Sequence, residues 1–232
     1  QTLGKFNPTT EPGRAWHLLN GKWDTIGQEF PGTTHTPEGF ECTLGRLAFD
    51  IFEPTNLPIR IVEIVNDVRG PNSIDSSDDD GRDLFNIVTT RFCARDGSGL
   101  RGKIVIKVSC VSDPENPQRL LLCFYSGTIE PDDGQDLDAW SKTIGLPSDS
   151  AEGGKPNKSV SKLFARLKKK AATFMLKLAF GFKPPASELG SRGELTYDMT
   201  RSPKGWLDVL YLDEEMRVTR GNRGSVVVVA RM

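Results

Sequence analysis

The sequence predicts a mainly β chain, an antiparallel barrel or sandwich interrupted by one long amphipathic helix. Three observations carry this. Strand-like runs recur along nearly the whole chain, separated by tight-turn residues. The run Lys103-Ile104-Val105-Ile106-Lys107-Val108-Ser109-Cys110 alternates, with Ile104, Ile106, Val108 and Cys110 on one face, as a half-buried strand does. A single segment, 159–182, breaks the pattern with a helical period and no Pro. The chain has 232 residues, ample for one β domain with a real core.

Residues 1–18 carry the turn formers Asn7-Pro8-Thr9-Thr10 and Glu11-Pro12-Gly13 and read as an extended arm before a domain of 19–232. Strands are expected at about 22–30, 42–53, 59–68, 84–95, 102–112 and 119–130. A second group is expected at about 193–200, 205–211, 215–220 and 224–231. Asp96-Gly97-Ser98-Gly99, Asp113-Pro114-Glu115-Asn116-Pro117 and Gly221-Asn222-Arg223-Gly224 separate neighbouring runs. Residues 69–83 contain Ser76-Ser77-Asp78-Asp79-Asp80-Gly81, a solvated acidic loop, and 131–158 form a polar, mobile insert.

In 159–182, Val160, Leu163, Phe164, Leu167, Ala171, Phe174 and Leu178 fall within an arc of about 100°. Lys162, Arg166, Lys169, Lys170 and Lys177 oppose them. From Lys155 to Lys183 there are eight Lys, one Arg and no acid, a charge of +9, which leaves −10 for the rest of a chain of net charge −1. Lys162, Arg166, Lys168, Lys169 and Lys170 are either the solvated face of a helix that closes a barrel end, or contacts to an anionic membrane surface or to a protein partner. Phe174, Leu176 and Phe180 make the second half apolar nearly all round, which demands burial in core, lipid or partner.

Other motifs take plainer readings. Gly97-Ser98-Gly99-Leu100-Arg101-Gly102 matches a phosphate-loop spacing, but a strand follows it where a helix is required, so it reads as a hairpin turn. The acidic loop lacks charged oxygens at the first and last calcium-ligand positions. Two His (His17, His35) and four Cys (Cys42, Cys93, Cys110, Cys123) without a C-x-x-C leave little for zinc, and the Cys read as buried thiols, with a disulfide as the alternative. The near-zero net charge gives no global field for nucleic acid. No run of about 18 apolar residues exists to span a membrane as a helix. The chain opens on Gln1, consistent with a mature chain whose targeting peptide has been removed.

The C-terminal stretch reads Trp206-Leu207-Asp208-Val209-Leu210-Tyr211-Leu212-Asp213-Glu214-Glu215-Met216-Arg217-Val218-Thr219-Arg220-Gly221-Asn222-Arg223-Gly224-Ser225 and ends in an apolar strand. It resembles the C-terminal signature of the plastid lipid-associated proteins, or plastid fibrillins. Leu19-Asn20-Gly21-Lys22-Trp23 is similar to that family's opening motif, and Ile64-Val65-Asn66-Asp67-Val68 to its central Asn-bearing strand. After Trp23 the sequence departs from the family's apolar-apolar-Tyr-Thr run with Asp24-Thr25-Ile26-Gly27. Within the block, Leu207, Val209 and Tyr211 alternate with Asp208 and Leu210. Met216 and Val218 oppose Arg217 and Thr219, Gly221-Asn222 supplies a turn with positive φ, and Arg217 or Arg220 is expected to pair with Asp213 or Glu215, pinning the hairpin register.

The resemblance implies a single lipocalin-like antiparallel β-barrel with the helix inserted before the last strands. Gly21, Trp23, Asn66, Trp206, Tyr211, Leu212, Asp213, Arg217, Arg220, Gly221 and Gly224 are then structural motif residues, and Trp23 packs across a closed barrel end. It further implies a non-enzymatic plastid protein, peripheral on the thylakoid or plastoglobule, associated with lipid, quinone or carotenoid and with no catalytic metal. The expected partner is a membrane lipid surface or a membrane protein complex, with no nucleic acid and no homo-oligomer. A different class of reading is a structural subunit docked on a photosynthetic complex such as a photosystem; an enzyme comes third.

Overall fold

A computed structural model describes residues 6–29, 33–48, 51–70, 85–144, 182–183, 189–199 and 204–232. Twelve strands and three short helices are present among them. In order they are α1 (Trp16–Leu19), β1 (Gly21–Glu29), β2 (Thr34–Thr36), β3 (Gly39–Thr43), α2 (Leu44–Leu47), β4 (Pro58–Arg69), β5 (Phe85–Ala94) and β6 (Arg101–Ser112). Then follow β7 (Arg119–Pro131), α3 (Leu137–Thr143), β8 (Phe182–Lys183), β9 (Leu195–Met199), β10 (Lys204–Leu212), β11 (Met216–Gly221) and β12 (Val226–Arg231).

All the strand pairings are antiparallel. The path β4-β5-β6-β7-β10-β11-β12-β1 closes on itself, because Gly21–Asp24 of β1 also pair with Val65–Val68 of β4. The result is a closed eight-stranded barrel, which leaves no exposed edge in the ring. β7 is long enough to serve two partners: Arg119–Cys123 pair with β10, and Ser126–Ile129 with β9. β2 and β3 extend the sheet beyond the start of β4.

The hairpins form where an aspartate precedes a turn. Asp96 Oδ1 accepts from Ser98 N at 3.0 Å, Asp113 Oδ1 from Glu115 N at 2.9 Å, and Asp213 Oδ1 from Met216 N at 2.7 Å. Each carboxylate satisfies turn amides that the ladder cannot reach. Gly97 and Gly99 sit at φ 85° and 70°, so the glycine-rich motif is the β5–β6 turn, as its sequence context predicts.

Two cores fill the molecule. One centres on Trp23, with Leu19, Val108, Leu120, Val209, Leu212 and Val229; the other on Trp140, with Phe52, Phe92, Ile104, Ile129 and Tyr197. Ile106 packs against both. The inward face of β6 is the one the alternation predicts: Ile104, Val108 and Cys110 are buried.

Several expectations are corrected. The run 42–53 is not one strand: Thr43 caps a helical turn by accepting from Arg46 N, and the chain leaves the sheet to bury Leu44 and Phe52. The arm is not merely extended. Thr9 Oγ1 donates to Leu212 O at 2.6 Å, Ser112 Oγ donates to Gly13 O at 2.8 Å, and α1 brings Leu19 over the barrel end. The insert 131–158 holds α3, capped by Asp136, whose Trp140 is fully buried and donates Nε1–H to Gly193 O at 2.8 Å. That ring lies on Gly102, where a Cβ would meet it at 2.5 Å. The last glycine of the phosphate-loop look-alike therefore makes room for a tryptophan. Residues 159–181, the body of the expected helix, lie outside the described residues, as do 71–84. Phe182, placed at that helix's end, is instead in a two-residue strand paired with β9.

Candidate ligand site in the barrel

The barrel encloses a cavity of about 180 Å³ above the Trp23 core. Its walls are apolar: Val88, Val108, Leu122, Phe124 and Val227 are among the side chains that line it. Four polar side chains interrupt them: Asn66 from β4, Asn86 from β5, and Arg217 and Thr219 from β11. The period of two puts Arg217 and Thr219 on one face of β11, and barrel closure makes that face the interior.

The floor is built first. Trp23 is fully buried and donates Nε1–H to Leu19 O at 2.9 Å. Arg231 lies with its guanidinium carbon 4.2 Å from the Trp23 ring centroid. It donates to three backbone carbonyls, Leu18, Asn20 and Glu214, the Asn20 bond being 2.7 Å. Gly21 sits at φ 117°, and a Cβ there would come within 2.7 Å of the Arg231 guanidinium. Gly21, Trp23 and Arg231 thus form one closure that ties α1 to β12.

Arg217 differs. It is 7% exposed, its guanidinium carbon is 5.1 Å from the same ring, and its Nε has no hydrogen-bond partner. It forms no ion pair among the described residues. Burial, with repulsion from Arg231 adding, pulls its pKa down to about 10, so it remains protonated at neutral pH. Cys110, beside it, is pushed up to about 12 by burial and stays a neutral thiol. A charged side chain in an apolar barrel without a counter-ion is costly, by several kcal/mol on the general scale for buried ions.

The two asparagines form a short chain: Asn86 Nδ2 donates to Asn66 Oδ1, and Asn66 Nδ2 to Thr25 Oγ1, both at 3.4 Å. Asn86 Oδ1 is left without a partner. The cavity therefore offers an apolar body, an unpaired cation and an unpaired acceptor, the pattern of a ligand pocket. At about 180 Å³ it is smaller than the ~300 Å³ at which drug-sized pockets begin, a volume with room for a ring or a short chain but not for a whole carotenoid.

Of the motif residues named from the sequence, Gly21, Trp23, Asn66 and Arg217 gather at this end. Trp206 lies elsewhere, with the guanidinium carbon of Arg119 3.7 Å from its ring centroid, while Arg119 Nε pairs with Asp208 Oδ1 at 2.8 Å. Leu212 is buried in the floor. A bulge between Val209 and Tyr211 shifts the register, so Tyr211 does not share the face of Leu207 and Val209. The expected pairing of Arg217 or Arg220 with Asp213 or Glu215 is not made. Asp213 instead accepts from Tyr211 Oη at 2.6 Å and from two turn amides, which holds its carboxyl below the usual range. Positive φ in the last turn belongs to Gly224, at 83°, not to Gly221. Among the thiols only Cys110 is fully buried, and Cys123 is exposed. Lys162, Arg166, Lys168, Lys169, Lys170, Phe174, Leu176 and Phe180 lie outside the described residues. Asn86 and Thr219 were not named as site residues from the sequence; Asn86 is in step with Val88 and Phe92 on β5, which was its only signal, and Thr219, on the charged face of β11 with Arg217, had none.

The fold is thus a closed eight-stranded antiparallel barrel, plugged at its Trp end with a cavity above it. A family model makes the assignment sharper: PAP_fibrillin matches residues 78–230, about two thirds of the chain, and the chain belongs to that family, the plastid fibrillins. The family is plastid-associated and generally structural or lipid-associated. Gly21, Trp23 and Asn66 precede the matched range and join it through the β1–β12 and β4–β5 ladders. No curated protein and no solved structure matches the chain.

Proposed function

We propose that this protein is a non-enzymatic lipid- or isoprenoid-associated protein of the plastid membrane system, peripheral on thylakoid or plastoglobule, that shelters the polar end of an amphiphile inside its barrel. The observation that carries the reading is the cavity itself: an apolar interior in a family associated with plastid lipids, with unpaired polar atoms facing into it. The cavity groups are arranged for binding. Neither His lines the cavity, and Cys110 is a neutral thiol at physiological pH. Native mass spectrometry with lipid extraction, on protein purified from its own membrane, tests this. The expected result is a retained small amphiphile at one per chain. Protein that carries none, and takes up none when offered total plastid lipid, overturns the reading.

A further inference from the structure

Arg217 carries an inference that rests on the lipid-binding reading and narrows it. From the unpaired guanidinium at the plugged end of an otherwise apolar barrel, we infer that the ligand is a carboxylate-bearing amphiphile bound head-first, its carboxylate on Arg217 and its chain directed away from Trp23.

Three observations support this. The first is charge. Among the described residues Arg217 is the single ionised side chain lining the cavity, and Arg231 is committed to three carbonyls below it. One buried positive charge is balanced by one negative charge. A phosphate monoester dianion would leave a net negative charge in a low-dielectric interior, which is unfavourable. The second is size. A phosphodiester is a monoanion too, but in a membrane lipid it brings a glycerol and two chains to a cavity of about 180 Å³. A fatty-acid-like carboxylate brings two oxygens, matched to the planar guanidinium fork, and one chain. The third is direction. Arg217 holds its guanidinium carbon 5.1 Å from the Trp23 ring centroid at the floor, whereas Leu122, Phe124 and Val227 line the walls. α1 blocks the Trp23 end with Leu19, so the chain of the ligand runs the other way. The apolar walls then cover methylene groups, and Asn86 Oδ1 is free to accept from a hydroxyl carried near the head.

A buried arginine could instead serve the fold, by its contact with Trp23. The two roles predict opposite responses. A structural cation would lose stability when replaced by Met; an unpaired cation kept for a ligand would not, because replacing it with a similar apolar volume removes a desolvated charge.

The test is isothermal titration calorimetry on the full chain with decanoate, methyl decanoate, decanol and decyl phosphate, each below its micelle concentration, beside melting curves. Wild type is expected to bind decanoate about ten- to hundredfold tighter than methyl decanoate or decanol, the range for a charge-assisted bond made in place of a neutral one. Arg217→Met is expected to melt no lower than wild type without ligand and to bind acid and ester alike. Arg217→Lys is expected to keep part of the preference, having the charge without the fork. Equal binding of acid, ester and alcohol by wild type would overturn the inference and leave the lipid-binding reading standing. Tighter binding of decyl phosphate than of decanoate would overturn the carboxylate assignment. A preference that persists in Arg217→Met would remove Arg217 from the site. Failure of all four probes to bind would overturn the inference, while the lipid-binding reading falls only if total plastid lipid is not taken up either. The wild-type comparison decides the matter even if Arg217→Met does not fold.

Discussion

At the residue scale, the interior sorts side chains by what burial does to their charge. Arg217 keeps its proton because an arginine starts so far above neutrality that a large downward pull still leaves it ionised at about 10. Cys110, which lines the same cavity, responds in the opposite sense, because its charged form is the deprotonated one. Its thiolate is suppressed until the pH approaches about 12, whereas an unfolded cysteine ionises near 9. Alkylation therefore reads the fold. With iodoacetamide at pH 8, Cys123 is expected to react readily, Cys42, pushed up to about 11, slowly, and Cys110 only after unfolding. Peptide mapping of a time course checks the order. Rapid modification of Cys110 in folded protein would mean that the barrel opens at that point.

At the element scale, the barrel depends on closures that are not strands. α1 plugs one end through Leu19 and is tied to β12 by Arg231. α3 seals the other core by seating Trp140 on Gly102 and bonding Gly193 O. Trp140→Ala removes the largest fully buried side chain of that second core and strands the Gly193 carbonyl. The expected destabilisation is about 3–5 kcal/mol, measured by urea unfolding. Because Trp140 does not line the cavity, ligand uptake by the folded fraction is expected to be unchanged. A loss under about 1 kcal/mol would place α3 outside the cooperative unit.

At the scale of the whole molecule, the balance of charge is uneven: residues 155–183 hold +9 in a chain of net charge −1. The membrane or partner contact expected of the 159–182 segment divides its sequence in two. Lys168, Lys169 and Lys170 offer charge, which salt screens within about 8 Å at physiological ionic strength. Phe174, Leu176 and Phe180 offer apolar area, worth about 1.5–3 kcal/mol for each side chain buried and insensitive to screening. In co-sedimentation with anionic plastid-lipid vesicles over a salt series, the triple change Lys168→Glu, Lys169→Glu and Lys170→Glu is expected to abolish the salt-sensitive part of binding. Phe180→Ser is expected to abolish the salt-resistant part with an unchanged melting curve. Normal binding by both variants would remove this segment from the account and favour docking of another surface on a membrane complex.

Much of the fold was legible in the sequence. The run 102–112 is β6 almost to the residue, and the aspartate-led turns at 96, 113 and 213 are local chemistry that any β chain would use in the same way. A period of two divides β11 correctly into Met216 and Val218 against Arg217 and Thr219. What it does not say is which set is inside. Sequence logic places a charged face in solvent, and for Arg217 that is reversed, because the face of β11 is chosen by its ladders to β10 and β12 and not by β11 alone. The bulge beside Tyr211 flips parity in mid-strand, and Trp140 finds its place only because Gly102, 38 positions earlier, leaves a gap. The sequence by itself determined most of the strands, their turns and the Trp23–Leu19 bond, since these follow from periods and short-range bonds, whereas Arg231 completes that closure from the far end of the chain. The cavity, and the unpaired arginine inside it, were decided by barrel closure, which brings together side chains that no local pattern relates.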